Sequence, residues 1–261
     1  MSYNSQKKLE LIHSVGFDRY FKANSWPEYN RAFFNGLAQK YDAANVLHSF
    51  GTKRRMDRIA VSHLRLPPQG RVLDLCTGSG DIALEIARQY PGVQIIGVDA
   101  AEEMLKIARR RAEGFGGRIE FIEGDALALP FPDGFFDAVV ISYGLRNLAD
   151  LNAGLTEMFR LVRPGGIVSN IDQGKPTNRL FKLVYAAYFY RIAPLIGKVV
   201  FHLGEFNSFR YLPESNRFFP SQEELCAIFK EVGFEELQNY DYWCGAVAQQ
   251  TARRPAMQQN L

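Results

Sequence analysis

Between residues 71 and 171 short apolar runs alternate with helical patterns, and this alternation constrains the fold more than any other feature of the chain. Arg71–Leu75 (RVLDL) suits a buried strand, and a glycine turn and the helical pattern Ile82, Ile86, Ala87 follow it. Residues 94–98 (QIIGV), 119–122 and 136–141 (FDAVVI) predict a second, third and fourth strand, with a helix over 102–111. Residues 151–162 read as helical and end at Pro164-Gly165-Gly166, a turn that feeds a fifth strand over 167–171. Parallel strands need long crossovers, so strands separated by helices predict an α/β fold with a doubly wound, mostly parallel sheet. Two further strand-like runs near the end bring the expected count to seven.

The flanks read differently. Residues 1–68 predict a helical cap, with Phe33, Leu37 and Tyr41 at helical spacing, closed by the break Pro67-Pro68-Gln69-Gly70. The α/β core then spans 69–173, an aromatic-rich insertion or lid 174–220, and the C-terminal part of the core 221–252, with a helix over 222–232. At 261 residues and 47% hydrophobic, the chain can build a core without staples. Cys76, Cys226 and Cys244 are too scattered for a disulfide framework or a zinc site, so a reducing compartment is expected and no metal is called for. A net charge of +3 does not point to nucleic acid, and the runs Lys53-Arg54-Arg55 and Arg109-Arg110-Arg111 read as solvated faces. The opening residues lack the apolar run of a signal peptide, which predicts a cytoplasmic protein. The most apolar stretch, 180–203, is interrupted by Lys182, Arg191, Lys198 and His202; it does not read as a spanning helix, but peripheral membrane association fits it.

The turn Asp74-Leu-Cys-Thr-Gly78-Ser-Gly80-Asp81 lies where the first strand meets the first core helix, the point at which such a sheet opens its ligand crevice. Glycines there let backbone N–H groups approach a ligand, and Asp99, at the end of the second strand, is placed to accept hydrogen bonds from a ribose diol. Gly78-Ser-Gly80-Asp-Ile-Ala83 also satisfies GxGxxA, so NAD is a candidate. Asp74, inside the strand, would be repelled by a pyrophosphate and attracted by a cationic amino group, and Asp125 is placed to meet an adenine amine. This set suits S-adenosyl-L-methionine better than NAD; the competing reading makes Asp74, Asp99 and Asp125 capping or turn carboxylates.

With these motifs the chain resembles the class I S-adenosylmethionine-dependent methyltransferases and, more narrowly, the UbiE/MenG family of ubiquinone and menaquinone C-methyltransferases. The resemblance rests on FNGLAQKYDAANVLHSFG (residues 34–51), DLCTGSGD, GDALALPFPDGFFD, SYGLRN (residues 142–147), RLVRPGG, KPTNRLFKLVY, APLIGK, YLPES and FFP, in that order. Where the family commonly carries Glu followed by Thr or Phe and Ser, this chain has Ile171-Asp172-Gln173-Gly174. The resemblance implies cofactor contacts from Tyr41, Thr77, Ala100, Met104, Ala126 and Ser142 beside Asp74, Gly78, Gly80, Asp99 and Asp125, with Asn45 facing the same site. It also implies S-adenosyl-L-homocysteine as product and a prenylated quinol, or another small aromatic, as acceptor.

Methyl transfer from a sulfonium to carbon is an in-line displacement, so the protein must align three atoms and make the carbon nucleophilic. A quinol supplies such a carbon ortho to a hydroxyl; an oxidised quinone does not. Arg146 and Asn147 are the candidates for stabilising a developing phenolate, or else they brace their loop. Asp172 and His48 are candidate general bases, each with a structural alternative. Tyr143 is expected to line the ring pocket or pack in the core. In the insertion, positions 181, 184, 185, 188, 189 and 192 form one apolar helical face, which makes Tyr185 and Phe189 candidates for holding the acceptor. A soluble aromatic or polyketide acceptor, and a non-catalytic cofactor-binding scaffold, are the alternatives; a homodimer or a quinone-biosynthesis complex is the expected assembly.

Overall fold

The structure is a computed structural model that describes residues 25–49, 51–192, 195 and 208–256. Its centre is a seven-stranded sheet: β1 (Arg71–Leu75), β2 (Gln94–Asp99), β3 (Ile119–Glu123), β4 (Phe136–Ser142), β5 (Val162–Gln173), β6 (Glu235–Tyr242) and β7 (Val247–Arg253), in the order β3-β2-β1-β4-β5-β7-β6. The first five are parallel; β7 enters antiparallel between β5 and β6. The expected doubly wound sheet is therefore present.

Side chains on a strand alternate between faces, and the two cores follow from this. Leu73, Leu75, Val139 and Ile141 pack on one face with helix α6 (Leu151–Leu161) and helix α9 (Gln222–Val232). Val72, Ala138 and Val140 pack on the other with α3 (Lys53–Ser62), α4 (Asp81–Gln89) and α5 (Glu102–Ala112). Strand order reverses between β1 and β4, so the loops leaving their carboxyl ends diverge and open a crevice.

β5 starts earlier than the Pro-Gly-Gly turn predicts. Val162 already pairs with Phe136, and residues between it and Ile167 bulge out of the ladder. Gly165 there has φ +74, and a Cβ on Gly166 would lie 2.8 Å from the Asp137 carbonyl, so the glycines form the bulge rather than a turn before the strand.

The cap is built on α1 (Trp26–Leu37) and α2 (Tyr41–His48). Ser25 caps α1 and Pro27 sits in its first turn; Trp26, Tyr29, Phe33 and Leu37 form the buried stripe. That stripe packs on Tyr211 of α8 (Ser208–Phe218), whose ring centroid is 4.3 Å from that of Phe33. In the segment expected to be an insertion, α7 (Arg179–Ala187) continues into a π-helical turn, Tyr188–Ile192. Leu180 and Leu183 are 73% and 71% exposed, so α7 is apolar on its outer side as well as on the side expected to face the core.

The charge runs are solvated faces except at Lys53 and Arg111. Lys53 Nζ lies 2.7 Å from Asp57 and 2.8 Å from Asp81, and Arg111 pairs with Asp81 at 2.6 Å, which ties the cap to the core. Arg54, Arg55, Arg109 and Arg110 of those runs are exposed in the expected manner.

Candidate active site

Two cavities open at the crevice. The first, about 610 Å³, lies over the carboxyl ends of β1, β2 and β4 and gathers Tyr41, Gly78, Asp99, Ala100, Met104, Asp125, Ala126 and Ser142 from the expected cofactor set. Gly78 has φ +55 and a Cβ there would come within 3.3 Å of Met104 Cε, so the bare backbone keeps the floor low. Asp99 Oδ2 accepts a hydrogen bond from the Gly78 N–H at 2.8 Å and Oδ1 one from Ala101 N–H at 2.9 Å. A carboxylate has about four lone-pair sites, so both oxygens keep capacity for a diol. Burial raises the Asp99 pKa, against the backbone N–H groups that lower it. Asp125 is exposed at the rim, and its Oδ1 accepts from Leu127 N–H at 2.9 Å. Ser142 Oγ is buried with no hydrogen-bond partner among the described residues, a polar atom on the wall that suits a polar ligand.

Three expected cofactor residues stand behind this cavity rather than in it. A Cβ on Gly80 would press on Phe121 Cζ at 3.1 Å and on Ala108 Cβ at 3.2 Å; this glycine permits close packing under α4. Asp74 is buried: its Oδ2 accepts from Thr77 Oγ1 at 2.5 Å and from Ala83 N–H at 3.0 Å. Both Asp74 and Thr77 line a narrow cleft of about 20 Å³ that shares Tyr41, Cys76, Ser142 and Tyr143 with the larger cavity. Burial, outweighing the Thr77 and Ala83 hydrogen bonds, brings the Asp74 carboxyl up to about 7.

The second cavity, about 470 Å³, is walled by the cap, α7, α8 and the β6–β7 connection. Phe33, Leu37, Met56, Phe181, Tyr185, Tyr188, Tyr211 and Trp243 make it largely aromatic and aliphatic, with Asn45, Ser49, Thr52, Lys53, Arg146 and Gln173 as polar points; Asn45, expected to face the cofactor, lines this cavity and not the first. Phe34, Tyr41 and Tyr143 line both cavities and form their common wall. Tyr143 takes φ +54, a conformation a bulky side chain adopts only when its surroundings hold it there. Its N–H donates to the Ile171 carbonyl at 2.7 Å, its carbonyl accepts from Asn147 Nδ2 at 3.2 Å, and the Arg146 guanidinium lies 5.7 Å from its ring centroid.

Arg146 and Asp172 form an ion pair with side-chain exposures of 6% and 2%. Asp172 also accepts from the N–H groups of Gln173 at 2.7 Å and Arg146 at 3.3 Å, and of the two only Arg146 lines a cavity. Burial opposes the Arg146 charge, but Asp172 more than offsets it and the guanidinium stays protonated. Asn147 is a joint. Its carbonyl accepts from Trp26 Nε1 at 2.6 Å and Asn30 Nδ2 at 2.9 Å, and its Oδ1 accepts from the Tyr211 hydroxyl at 2.9 Å. The side chains of His48 and Phe189 lie outside the described residues.

Sequence reasoning missed Trp26, Lys53, Met56, Cys76, Tyr211 and Trp243 as cavity walls. For Lys53 a signal existed, since Asp57 follows at i,i+4 on the same helix. Cys76 lies in the glycine turn itself, between Asp74 and Gly78, and the others reach the crevice from elements distant in the chain.

Residues 23–254 match the model of the ubiE/COQ5 methyltransferase family. The "Ubiquinone/menaquinone biosynthesis C-methyltransferase UbiE" of Geobacter sulfurreducens is 44% identical over 82% of this chain and 84% of its own. The "Demethylmenaquinone methyltransferase" of Thermus thermophilus is 45% identical over 77% of this chain and 90% of its own. Among solved structures, a SAM-dependent methyltransferase of Thermotoga maritima superposes with TM-score 0.61 at 22% identity, covering 85% of this chain and 98% of that one. One from Aquifex aeolicus gives 0.55 at 16% identity, covering 75% and 88%. These structural likenesses bear on the fold, whereas the match over nearly the whole sequence settles descent: the chain belongs to the ubiE/COQ5 methyltransferase family.

Proposed function

We propose that the two cavities are the donor and acceptor halves of one methyl-transfer site, with Phe34, Tyr41 and Tyr143 between them. As a member of its family the chain is an S-adenosylmethionine-dependent C-methyltransferase of ubiquinone or menaquinone biosynthesis. The observation that carries the two-cavity reading is that common wall: an acid-bearing cavity and an aromatic one meet at the same side chains.

S-adenosylmethionine, when bound, supplies an electrophilic methyl group on a sulfonium. Asp99 holds the ribose hydroxyls, Asp125 reaches the adenine edge, and Ser142 gains the hydrogen bond its buried Oγ lacks. In the second cavity Arg146 holds the ring oxygen of a quinol as negative charge develops on it, an interaction stronger in the transition state than before it. Asp172 positions this guanidinium and, being already engaged, does not serve as the base. Asn147 braces the loop. Tyr185 packs against the ring or the first isoprene units, with residues 174–192 and 208–220 acting as the lid.

No helix among the described residues is long and apolar enough to cross a membrane. The outward side of α7, with Leu180 and Leu183 exposed beside Arg179 and Lys182, instead supports peripheral docking on an anionic bilayer from which a prenylated quinol is drawn.

The test is turnover with S-adenosylmethionine and a demethylated, short-tailed naphthoquinol or benzoquinol, supplied reduced and oxidised. Mass spectrometry should find the methylated ring from the reduced acceptor only. Methylation of neither, or equal methylation of both forms, overturns the reading.

A further inference from the structure

Lys53 is the cation that the methyl-transfer reading leaves unused. It opens α3 in a basic run, yet its side chain is only 14% exposed. Its Nζ sits between Asp57 at 2.7 Å and Asp81 at 2.8 Å. Asp81 is in turn paired with Arg111 at 2.6 Å, and Arg111 also lies 3.8 Å from Asp42, so the two cations are set among three acids. An ammonium has three donors, and two are committed to these carboxylates. Lys53 also lines the acceptor cavity and the narrow cleft beside Tyr41 and Tyr143. Burial opposes its charge, but Asp57 and Asp81 outweigh burial and keep it protonated. Lys53 and Arg146 line the acceptor cavity together with Tyr143 of the common wall, and each cation is backed by its own carboxylate.

We propose that Lys53 is a second acceptor-recognition residue, whose remaining N–H donates to one ring oxygen of the hydroquinone while Arg146 takes the other. A para-hydroquinone presents two oxygens on opposite sides of the ring, and an acceptor cavity with two separately braced cations matches that chemistry better than one with a single cation. Held at both oxygens, the ring cannot rotate in its plane, so the edge between the two oxygens, with its two carbons, faces the common wall. The inference rests on the methyl-transfer reading for the identity of the acceptor.

The experiment uses the full chain and a short-tailed 1,4-dihydroxynaphthalene kept reduced. Acceptor binding is read by tryptophan fluorescence, since Trp243 lines the cavity, and methyl transfer is read separately under saturating S-adenosylmethionine. Lys53→Met leaves two carboxylates facing each other, so Lys53→Met/Asp57→Asn, which keeps the Asp81–Arg111 pair, is the decisive variant. It should lose about 10- to 100-fold in kcat/KM for the acceptor, as expected for a hydrogen bond from a charged donor. Its S-adenosylmethionine affinity, by calorimetry, should stay within about twofold of wild type, and Lys53→Arg should recover most of the lost turnover. Wild-type acceptor kinetics in the double variant overturn the proposal. So does a parallel loss of S-adenosylmethionine affinity and turnover, which would make Lys53 a latch for the cap. If wild type binds the acceptor without methylating it, the methyl-transfer reading fails while the binding comparison still decides the role of Lys53; if wild type does not bind it, both fail.

Discussion

Arg146 and Asp172 form a buried ion pair in which only the arginine reaches the acceptor cavity. The aspartate sits at the end of β5 and the arginine in the turn after β4, so neighbouring parallel strands bring the two together at the sheet's carboxyl edge. A cation braced in this way needs no reorganisation when charge develops beside it.

Removing the arginine alone strands a buried carboxylate. Arg146→Ala should therefore lose about 3–5 kcal/mol of stability together with its activity. Arg146→Gln/Asp172→Asn should regain most of that stability yet stay down by roughly 10²–10³ in kcat. Urea unfolding and turnover measured on both variants separate the effects; wild-type kcat in the double variant would remove Arg146 from the chemistry.

Asp99→Asn keeps the shape of the proposed donor cavity but removes the charge proposed to meet the ribose. S-adenosylmethionine binding should weaken by about 1.5–3 kcal/mol, read by calorimetry, with little change in the acceptor KM. Unchanged affinity would take Asp99 out of the site.

The pH dependence of folding should carry the signature of Asp74. Its carboxyl is raised from 3.8 to about 7 in the folded protein, chiefly by burial. The folded state therefore binds more protons than the unfolded one between about pH 4 and 7, so this group makes stability fall as pH rises through that window and adds no slope above it. Asp74→Asn can still accept from Thr77 and Ala83 and should flatten the slope. Urea unfolding at about pH 5 and about pH 8 measures this, and an identical slope in the variant would refute the assignment.

Replacing Leu180 and Leu183 by Asp should abolish flotation with anionic vesicles while leaving turnover of a short-tailed acceptor in place, because their side chains face away from the core. If wild type does not float with such vesicles, the outer side of α7 does not dock on lipid.

Asn147→Ala removes two side-chain hydrogen bonds that join α8 to the core, with Tyr211 and Tyr143, and so loosens Tyr211, on which the cap packs. A loss of about 1–3 kcal/mol is expected, with faster proteolysis of the cap than of the sheet. Full stability with reduced kcat would instead make Asn147 a catalytic donor.

The order of strands and helices between residues 71 and 171 was legible in the chain because it depends on local pattern. RVLDL has the length and apolarity of an inner strand, and a glycine turn followed by a 3.6-residue period can only begin a helix. Asp99 was legible for the same reason, since it ends its strand and parallel packing sets the ends of β1 and β2 side by side. The tertiary structure decided everything that needed partners far apart in sequence. Trp26 meets Asn147, Lys53 meets Asp81, and Phe33 meets Tyr211 across separations that no short-range periodicity encodes. The acceptor cavity exists only where the cap, α7, α8 and the β6–β7 connection converge, and β7 lies inside the sheet because its buried Gln249 and Gln250 find partners in Ser169 and Asn170 on β5. Lys53 looked like one cation of a solvated run; its burial follows from two acids, one on its own helix and one on α4, that together outweigh the desolvation of its charge.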